Sequence, residues 1–405
     1  ERSRGLGDVY KRQEYVISGK IVYKDRVERG VVVVEDGTIS YVGKKDRGYG
    51  GAERIRYDNC YISAGFIDIH VHGGGGADTM AGKVEAIKRM SVTHLSGGTT
   101  SLYPTTLTAP MDKIVKALKS VRKAMKNKTS GAKVLGAHLE GPYLSYEERG
   151  AQNHLYLKNP EREEYEQLVY DFRDVIARVS AAPELNGAME LGEFLRDNGV
   201  VASIAHSNAR YEDVILAVKA GYSHVTHLYC GMSKLKIINA YLVPGVLEST
   251  LLINDLTTEI IADNHHVPAP LIKLAIKCKG IDKIALVTDA IGATGLQDGN
   301  YRLGELDIVV KGGVAKLMKE QSFAGSVITM NTAVKNMVKV VGLPIYDAVR
   351  MATEIPAKIM GIADKKGTLS QGKDADIIVF DKDFNILIAM VEGEILYRDE
   401  QFNCR

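Results

Sequence analysis

The chain has 405 residues, 45% of them hydrophobic and 25% charged, the make-up of an ordinary globular protein with ample core material. Its 52 basic and 50 acidic residues leave a formal charge of +2, which gives no support to a nucleic-acid surface, and no apolar run approaches the roughly 20 residues needed to cross a bilayer. No secretory signal is visible, and Cys60, Cys230, Cys278 and Cys404 are scattered without a CxxC pair, so a reducing cytoplasm and no disulfide framework are expected.

Residues 1–13 are polar and aperiodic, and are expected to be a disordered or non-native leader outside the fold. From Glu14 to about Asp58 the pattern is short strands broken by turns, with Asp36-Gly37 between Val34 and Ile39 as a hairpin signal. At Ala64 the rhythm changes. The stretch AGFIDIHVHGGGG reads as a strand buried on both faces, followed by Gly73–Gly76. Side chains two apart on a strand point the same way, so His70 and His72 leave its end together.

Further strands are predicted over Thr99–Pro104, Val134–Glu140, Ile176–Ala181, Val200–Ala205, His224–His227, Thr258–Ala262 and Ile284–Thr288. Helices lie between most of them. Met111–Met125 puts Ile114, Val115, Leu118 and Val121 on one face with lysines opposite, and Tyr211–Ala220 stops at Gly221. Met330–Val341 and Ile345–Met360 are the last helical stretches. Eight strand–helix units predict an α/β protein with a (β/α)8 TIM-like barrel over residues 61–361. After Gly361 the β pattern returns, and residues 14–60 with 362–405 are expected to form one small β-sandwich from both chain ends.

Catalytic groups of such barrels sit at the C-terminal ends of strands. There the chain places His70 and His72, then Glu140, His206, His227 and Asp289. Imidazoles and carboxylates gathered at one mouth suit a metal such as zinc or iron. Glu140 could instead cap a helix or pair with Arg149, and His206 could be a turn residue beside Ser207-Asn208. His224 and His227, an odd step apart on one strand, should face opposite ways, which favours His227 for the mouth. Asp289 ends an apolar strand with no cation adjacent in sequence, which suits a proton-transfer group. His94 reads as structural, and His138 as a residue behind the ligands.

Several blocks in series (HLEGPYLS, the His206 turn, THLYCGM, IADNHHV, LVTDAIGATGLQDGNYRLG and FAGS) resemble the N-acetylglucosamine-6-phosphate deacetylases of the amidohydrolase superfamily, from about Tyr15 to Arg398. The resemblance implies that the β-sandwich flanks a metal-bearing barrel, that the protein is a homodimer, and that its partner is a small N-acetylated amino sugar. It implies that Glu140, His206 and His227 hold one divalent ion, and His70 with His72, sharing Glu140, a second. Asp289 matches the catalytic acid/base, His266 the group that steadies the substrate carbonyl, and Gln152 falls where many members contact the sugar with a His.

The chain departs from that pattern at the sugar. Cys230-Gly231-Met232 stands where the family has Asn-Ala-Met, and the segment Ala240–Gly245 lacks the Arg that precedes a Pro-Gly and binds phosphate. Lys234 and Lys236 are nearby charges without Arg's bidentate fork. Deacetylation chemistry is therefore expected to be kept while the 6-phosphate contact differs. The alternatives are an amidohydrolase for an unphosphorylated N-acetyl sugar, an N-acyl amino acid or another amide, and a silent barrel that keeps only the fold.

Overall fold

The computed structural model describes residues 14–44, 51–127, 130–320 and 322–400; the leader read over 1–13 lies outside them. Seven strands from the two chain ends form one hydrogen-bonded sheet, in the order Glu394–Arg398, Ile386–Val391, Ile377–Phe380, Glu53–Ala64, Tyr15–Val22, Val27–Glu35, Thr38–Gly43. Asp36 and Gly37 both take left-handed φ (49° and 78°), as a type I′ hairpin turn requires, and Glu392-Gly393 repeats the device at 48° and 82°. Two stacked layers were expected here, but hydrogen bonding runs through all seven strands. The reason is the length of Glu53–Ala64: its first part runs parallel to Tyr15–Val22, while Tyr61–Ala64 pairs antiparallel with Ile377–Phe380. One face of this sheet encloses Ile17, Ile21, Val32, Ile62, Ile377 and Val379, and Ile378 and Phe380 on the other face join the main core.

The rest of the chain is α/β. Ala137–Glu140, Ile176–Ala181, Val201–Ile204, Tyr222–Val225, Thr257–Ile261 and Ile284–Val287 are neighbours in one parallel sheet that forms a half-barrel. Phe66–Val71, Thr99–Pro104 and Lys133–Val134 form a second parallel group, and single parallel bridges, Val71 with Ala290 and Thr105 with His138, link the two. The predicted strand Val134–Glu140 is interrupted at Leu135-Gly136, where the neighbouring chain comes so close that a Cβ on Gly136 would stand 2.9 Å from the Val175 carbonyl oxygen.

Met111–Lys126 buries Ile114, Ala117, Leu118 and Val121, and Tyr211–Ala220 stops at Gly221 with φ 112°. The predicted helix Ile345–Met360 breaks at Thr353 into Ile345–Ala352 and Glu354–Ile359. Pro356 is the cause, because its ring cannot pack over the carbonyl of Ala352 and it has no N–H to donate. A three-stranded meander over Gly299–Leu303, Leu306–Lys311 and Val314–Leu317 follows the last parallel strand; it was not foreseen in the sequence and packs its own core of Leu303, Ile308, Val310 and Ala315 against Leu107 and Ile291. No helix among the described residues is long and apolar enough to cross a membrane.

Candidate active site

Phe66–Val71 is buried along its whole length, and His70 near its end and His72 just beyond it lie on the same side. Gly73 follows because only glycine fits: a Cβ there would meet the Ala77 carbonyl oxygen at 2.4 Å. Glu140 is the last residue of its strand. His206, His227 and Asp289 each stand two residues past a strand end, with φ of 42°, 27° and 47°. Left-handed backbone is uncommon for non-glycine residues and gathers at functional sites. The turn also corrects the sequence reading of His224 and His227. The strand ends at Val225, so the two histidines are not on opposite faces of one strand; both point inward, His224 at the level of Glu259 and His227 at the mouth.

The imidazoles converge through Nε2. His70 and His72 approach each other to 3.3 Å, and His206 and His227 to 3.2 Å. Glu140 lies between the pairs: Oε1 is 3.2 Å from His227, 3.4 Å from His206 and 3.5 Å from His70, and Oε2 is 3.3 Å from His72. Around a tetrahedral ion with bonds of about 2.0–2.1 Å, neighbouring ligand atoms stand about 3.4 Å apart. The spacing is that of donors around an ion. The two sets His70, His72, Glu140 and Glu140, His206, His227 thus suit a divalent metal. On the far sides of the rings, His206 Nδ1 meets the Glu148 carbonyl at 2.8 Å, His227 Nδ1 meets the Cys230 carbonyl at 3.1 Å, and His70 Nδ1 meets Glu259 Oε1 at 2.7 Å. Such partners put the proton on Nδ1 and leave Nε2 free to bind.

Asp289 Oδ1 is 3.1 Å from His72 Nε2 and 3.4 Å from His70 Nε2. Burial alone would raise both carboxyls. The surrounding imidazoles, His70 foremost, outweigh it, holding Glu140 well below the usual carboxylate range and lowering Asp289. Glu140 does not pair with Arg149, whose guanidinium stacks 4.4 Å from the Tyr146 ring centre. His94 donates to the Gly73 carbonyl at 2.8 Å, away from the cluster, while His138 lies edge-on to His70 with ring centres 4.7 Å apart.

A pocket of about 360 Å³ opens over this cluster, lined in part by Gln152, Cys230, Gly231, Lys234, His266 and Phe323. Gln152 has both polar ends engaged, its Nε2 donating to Glu140 Oε2 at 2.9 Å and its Oε1 accepting from Thr108 N at 2.8 Å. Burial pushes the Cys230 thiol up to about 12, so it is a neutral wall. Gly231 packs against His206; a Cβ on it would lie 2.6 Å from Nδ1. His266 holds Asp263 Oδ2 through Nδ1 at 2.7 Å and stacks on Phe323 with centres 4.5 Å apart.

Sequence reasoning missed Arg178, Glu259 and Asp263. Arg178 and Glu259 are both fully buried, and Arg178 Nη1 donates to Glu259 Oε2 at 2.6 Å. A signal was present, since each is a charge inside a short strand that also carries Val or Ile, where an unpaired charge is costly. Asp263 accepts the backbone N–H groups of His265 and His266, each at 2.8 Å, and so fixes the loop that carries the His266 ring.

Comparison with known proteins gives consistent likenesses. The model of the Amidohydrolase family matches residues 61–396. The N-acetylglucosamine-6-phosphate deacetylase of Vibrio furnissii is 36% identical over 386 residues, 95% of this chain and 94% of that protein. The same enzyme from Bacillus subtilis is 34% identical over 375 residues, 92% of this chain and 93% of that protein. Among solved structures, N-acetylglucosamine-6-phosphate deacetylase from Pasteurella multocida superimposes with a TM-score of 0.88 at 31% identity, covering 94% of this chain and 99% of that one.

Proposed function

The chain belongs to the amidohydrolase family, and from that premise we propose that it hydrolyses the acetamide of N-acetylglucosamine-6-phosphate, releasing glucosamine-6-phosphate and acetate. The observation that carries this reading is the group of Nε2 and carboxylate atoms at ion-ligand spacing with the Asp289 carboxylate against it. Glu140, His206 and His227 would hold one divalent ion, and His70 and His72, sharing Glu140, a second; imidazole and carboxylate donors suit zinc or iron. Such an ion supplies Lewis acidity and lowers the pKa of its water from 15.7 towards about 7.

The protein's own groups do the rest. Asp289, its carboxylate set against the proposed ligands His70 and His72, would take the proton of the attacking water and return it to the departing amine nitrogen as the C–N bond breaks. His266, its Nδ1 held by Asp263 and its ring lining the pocket, would steady the carbonyl oxygen as negative charge develops there. Gln152 orients Glu140 from the other side, and Cys230 and Gly231 shape the sugar wall. Lys234 is the one lysine or arginine among the described residues lining the pocket, and it would answer the 6-phosphate; Lys236 instead donates to Asn208 Oδ1 at 2.8 Å.

The test is kcat/KM for the phosphorylated and unphosphorylated sugars side by side. The phosphate ester should lead by at least tenfold, with K234A narrowing the gap through KM and D289N abolishing turnover while metal content stays. Equal or reversed values would shift the substrate to an unphosphorylated amide.

We propose further that the parallel strands close into a (β/α)8 barrel through the bridges at Val71–Ala290 and Thr105–His138, and that the described residues of 14–60 and 362–400 form a small domain beside it. Cys230 and Cys278, which form no disulfide, fit a cytoplasmic setting. A homodimer is also proposed. The hairpin Lys236–Ile238 and Tyr241–Val243 exposes Ile237 (73%), Tyr241 (76%) and Leu242 (67%) beside the pocket, apolar surface that a second copy would cover. Sedimentation should give a dimer for the native chain and a monomer for I237D; a native monomer would reject the pairing.

A further inference from the structure

Under the floor of the pocket lies a charged group that no step above uses. Glu259 sits mid-strand in Thr257–Ile261, fully buried, and is surrounded by donors. Its Oε1 faces His70 Nδ1 at 2.7 Å and the His227 backbone N–H at 3.3 Å; its Oε2 faces Arg178 Nη1 at 2.6 Å and His224 Nε2 at 3.2 Å. Arg178, fully buried in the strand Ile176–Ala181, spends Nη2 on Thr226 Oγ1 at 2.7 Å and Ser203 Oγ at 3.3 Å. A buried ion pair is seldom a net gain in stability over apolar packing, so its presence asks for another use.

The four imidazoles are held unequally. His206 and His227 are oriented by main-chain carbonyls, which no side-chain substitution removes. His70 is oriented by Glu259 alone, and His72 Nδ1 has no partner. We propose that Arg178 and Glu259 are positioning residues that fix the His70 proton on Nδ1, and that the ion held by His70 and His72 depends on this pair while the ion of Glu140, His206 and His227 does not. This rests on the proposed metal-dependent deacetylase reading.

Arg178 has a directional part. It can only donate, so it demands an acceptor from residue 259. In E259Q the amide oxygen must turn to Arg178 and the NH2 to His70, which moves the imidazole proton to Nε2 and removes the lone pair that would bind the ion. In R178M/E259Q that demand is gone, the Gln oxygen can face His70, and Ser203 and Thr226 still hydrogen-bond each other at 2.7 Å.

The experiment strips the full chain with chelator, reloads it with Co(II) at graded free concentration, and reads metal per chain and the visible cobalt spectrum, with circular dichroism as the check on fold. The native chain should take two ions. E259Q should keep the first and need about 10- to 100-fold more free cobalt for the second, the usual effect of losing such a support. R178M/E259Q should recover most of that loss. Should E259Q fail to fold, E259D keeps the charge against Arg178 while drawing back from His70, and should lose the second ion alike. Two ions of unchanged affinity in E259Q, or equal loss of both ions in every variant, would overturn the proposal. A native chain that takes a single ion, abolished by H206N, would overturn it and leave the deacetylase reading standing. A chain that binds none would remove both.

Discussion

A charge in a protein interior finds partners or gives up its proton state, and this molecule shows both outcomes. Arg178 and Glu259 answer each other. Lys279, on the helix Ala269–Lys279, has only the Ile253 carbonyl, to which its Nζ donates at 2.5 Å; burial, with Lys283 nearby, lowers its pKa to about 8, Asp255 opposing only weakly. The unfolded chain holds this proton up to about pH 10.5. Between about 8 and 10.5 the unfolded state therefore binds more protons, and stability from this group rises with pH; below 8 the buried charge costs its full amount. K279M should raise the melting temperature near pH 7, and the advantage should shrink as pH climbs through 8 to 10. A constant difference across that range would mean the ammonium is not penalised. The proposed ligands were legible in the sequence because each stands at or near the end of a strand, where a barrel mouth lies. Glu259 and Arg178 stand inside their strands instead, and what they do depends on a contact across 81 positions, which no local pattern reveals.

Among elements, the strands Thr99–Pro104 and Ile176–Ala181 and the helix Tyr211–Ala220 match the sequence reading residue for residue, because turn signals bound them: Gly97-Gly98 before the first, Pro183 after the second and Gly221 at the helix end. The misses are places where a tertiary contact overrides the period: Gly136 under the Val175 carbonyl, and the left-handed turn that carries His227 off its strand. The meander Gly299–Leu317 does alternate, with exposed Asn300, Arg302 and Asp307 beside Tyr301, Leu303 and Ile308, but each strand is only four to six residues long and the sequence reading passed over it. The turn after Tyr222–Val225 allows a direct test. Gly231 has φ 53°, and an added Cβ would press on His206 Nδ1 at 2.6 Å and Cε1 at 2.9 Å. G231A should therefore displace the imidazole, lower affinity for the ion shared with Glu140 and His227 by tenfold or more, and cut turnover while the circular dichroism spectrum is kept. Undiminished metal binding in G231A would show that the ring has room to move.

On the scale of the whole molecule, the joining of the two chain ends is a matter of registry, Ile377 opposite Ala64 and Phe380 opposite Tyr61, which hydrophobic alternation allows without selecting. The proposed metal site would be a second long-range tie. Its ligand atoms come from four strand ends between His70 and His227, so an ion bound there would hold distant parts of the chain in one arrangement that the unfolded chain lacks. Binding to the folded state alone stabilises it by about 2.7 kcal/mol when free ion is a hundredfold above its dissociation constant. A chain of this size has a large unfolding entropy, so roughly 1–2 °C follows each kcal/mol, by extension of the size scaling. Chelation should accordingly lower the melting temperature by about 3–5 °C for each ion removed, zinc should restore it, and H206N should regain with zinc only the share due to the His70, His72 and Glu140 set. If metal analysis showed the ion gone and the native melting temperature stayed put, the cluster would be pre-formed without its cation, and the strand ends would owe their convergence to the surrounding core alone.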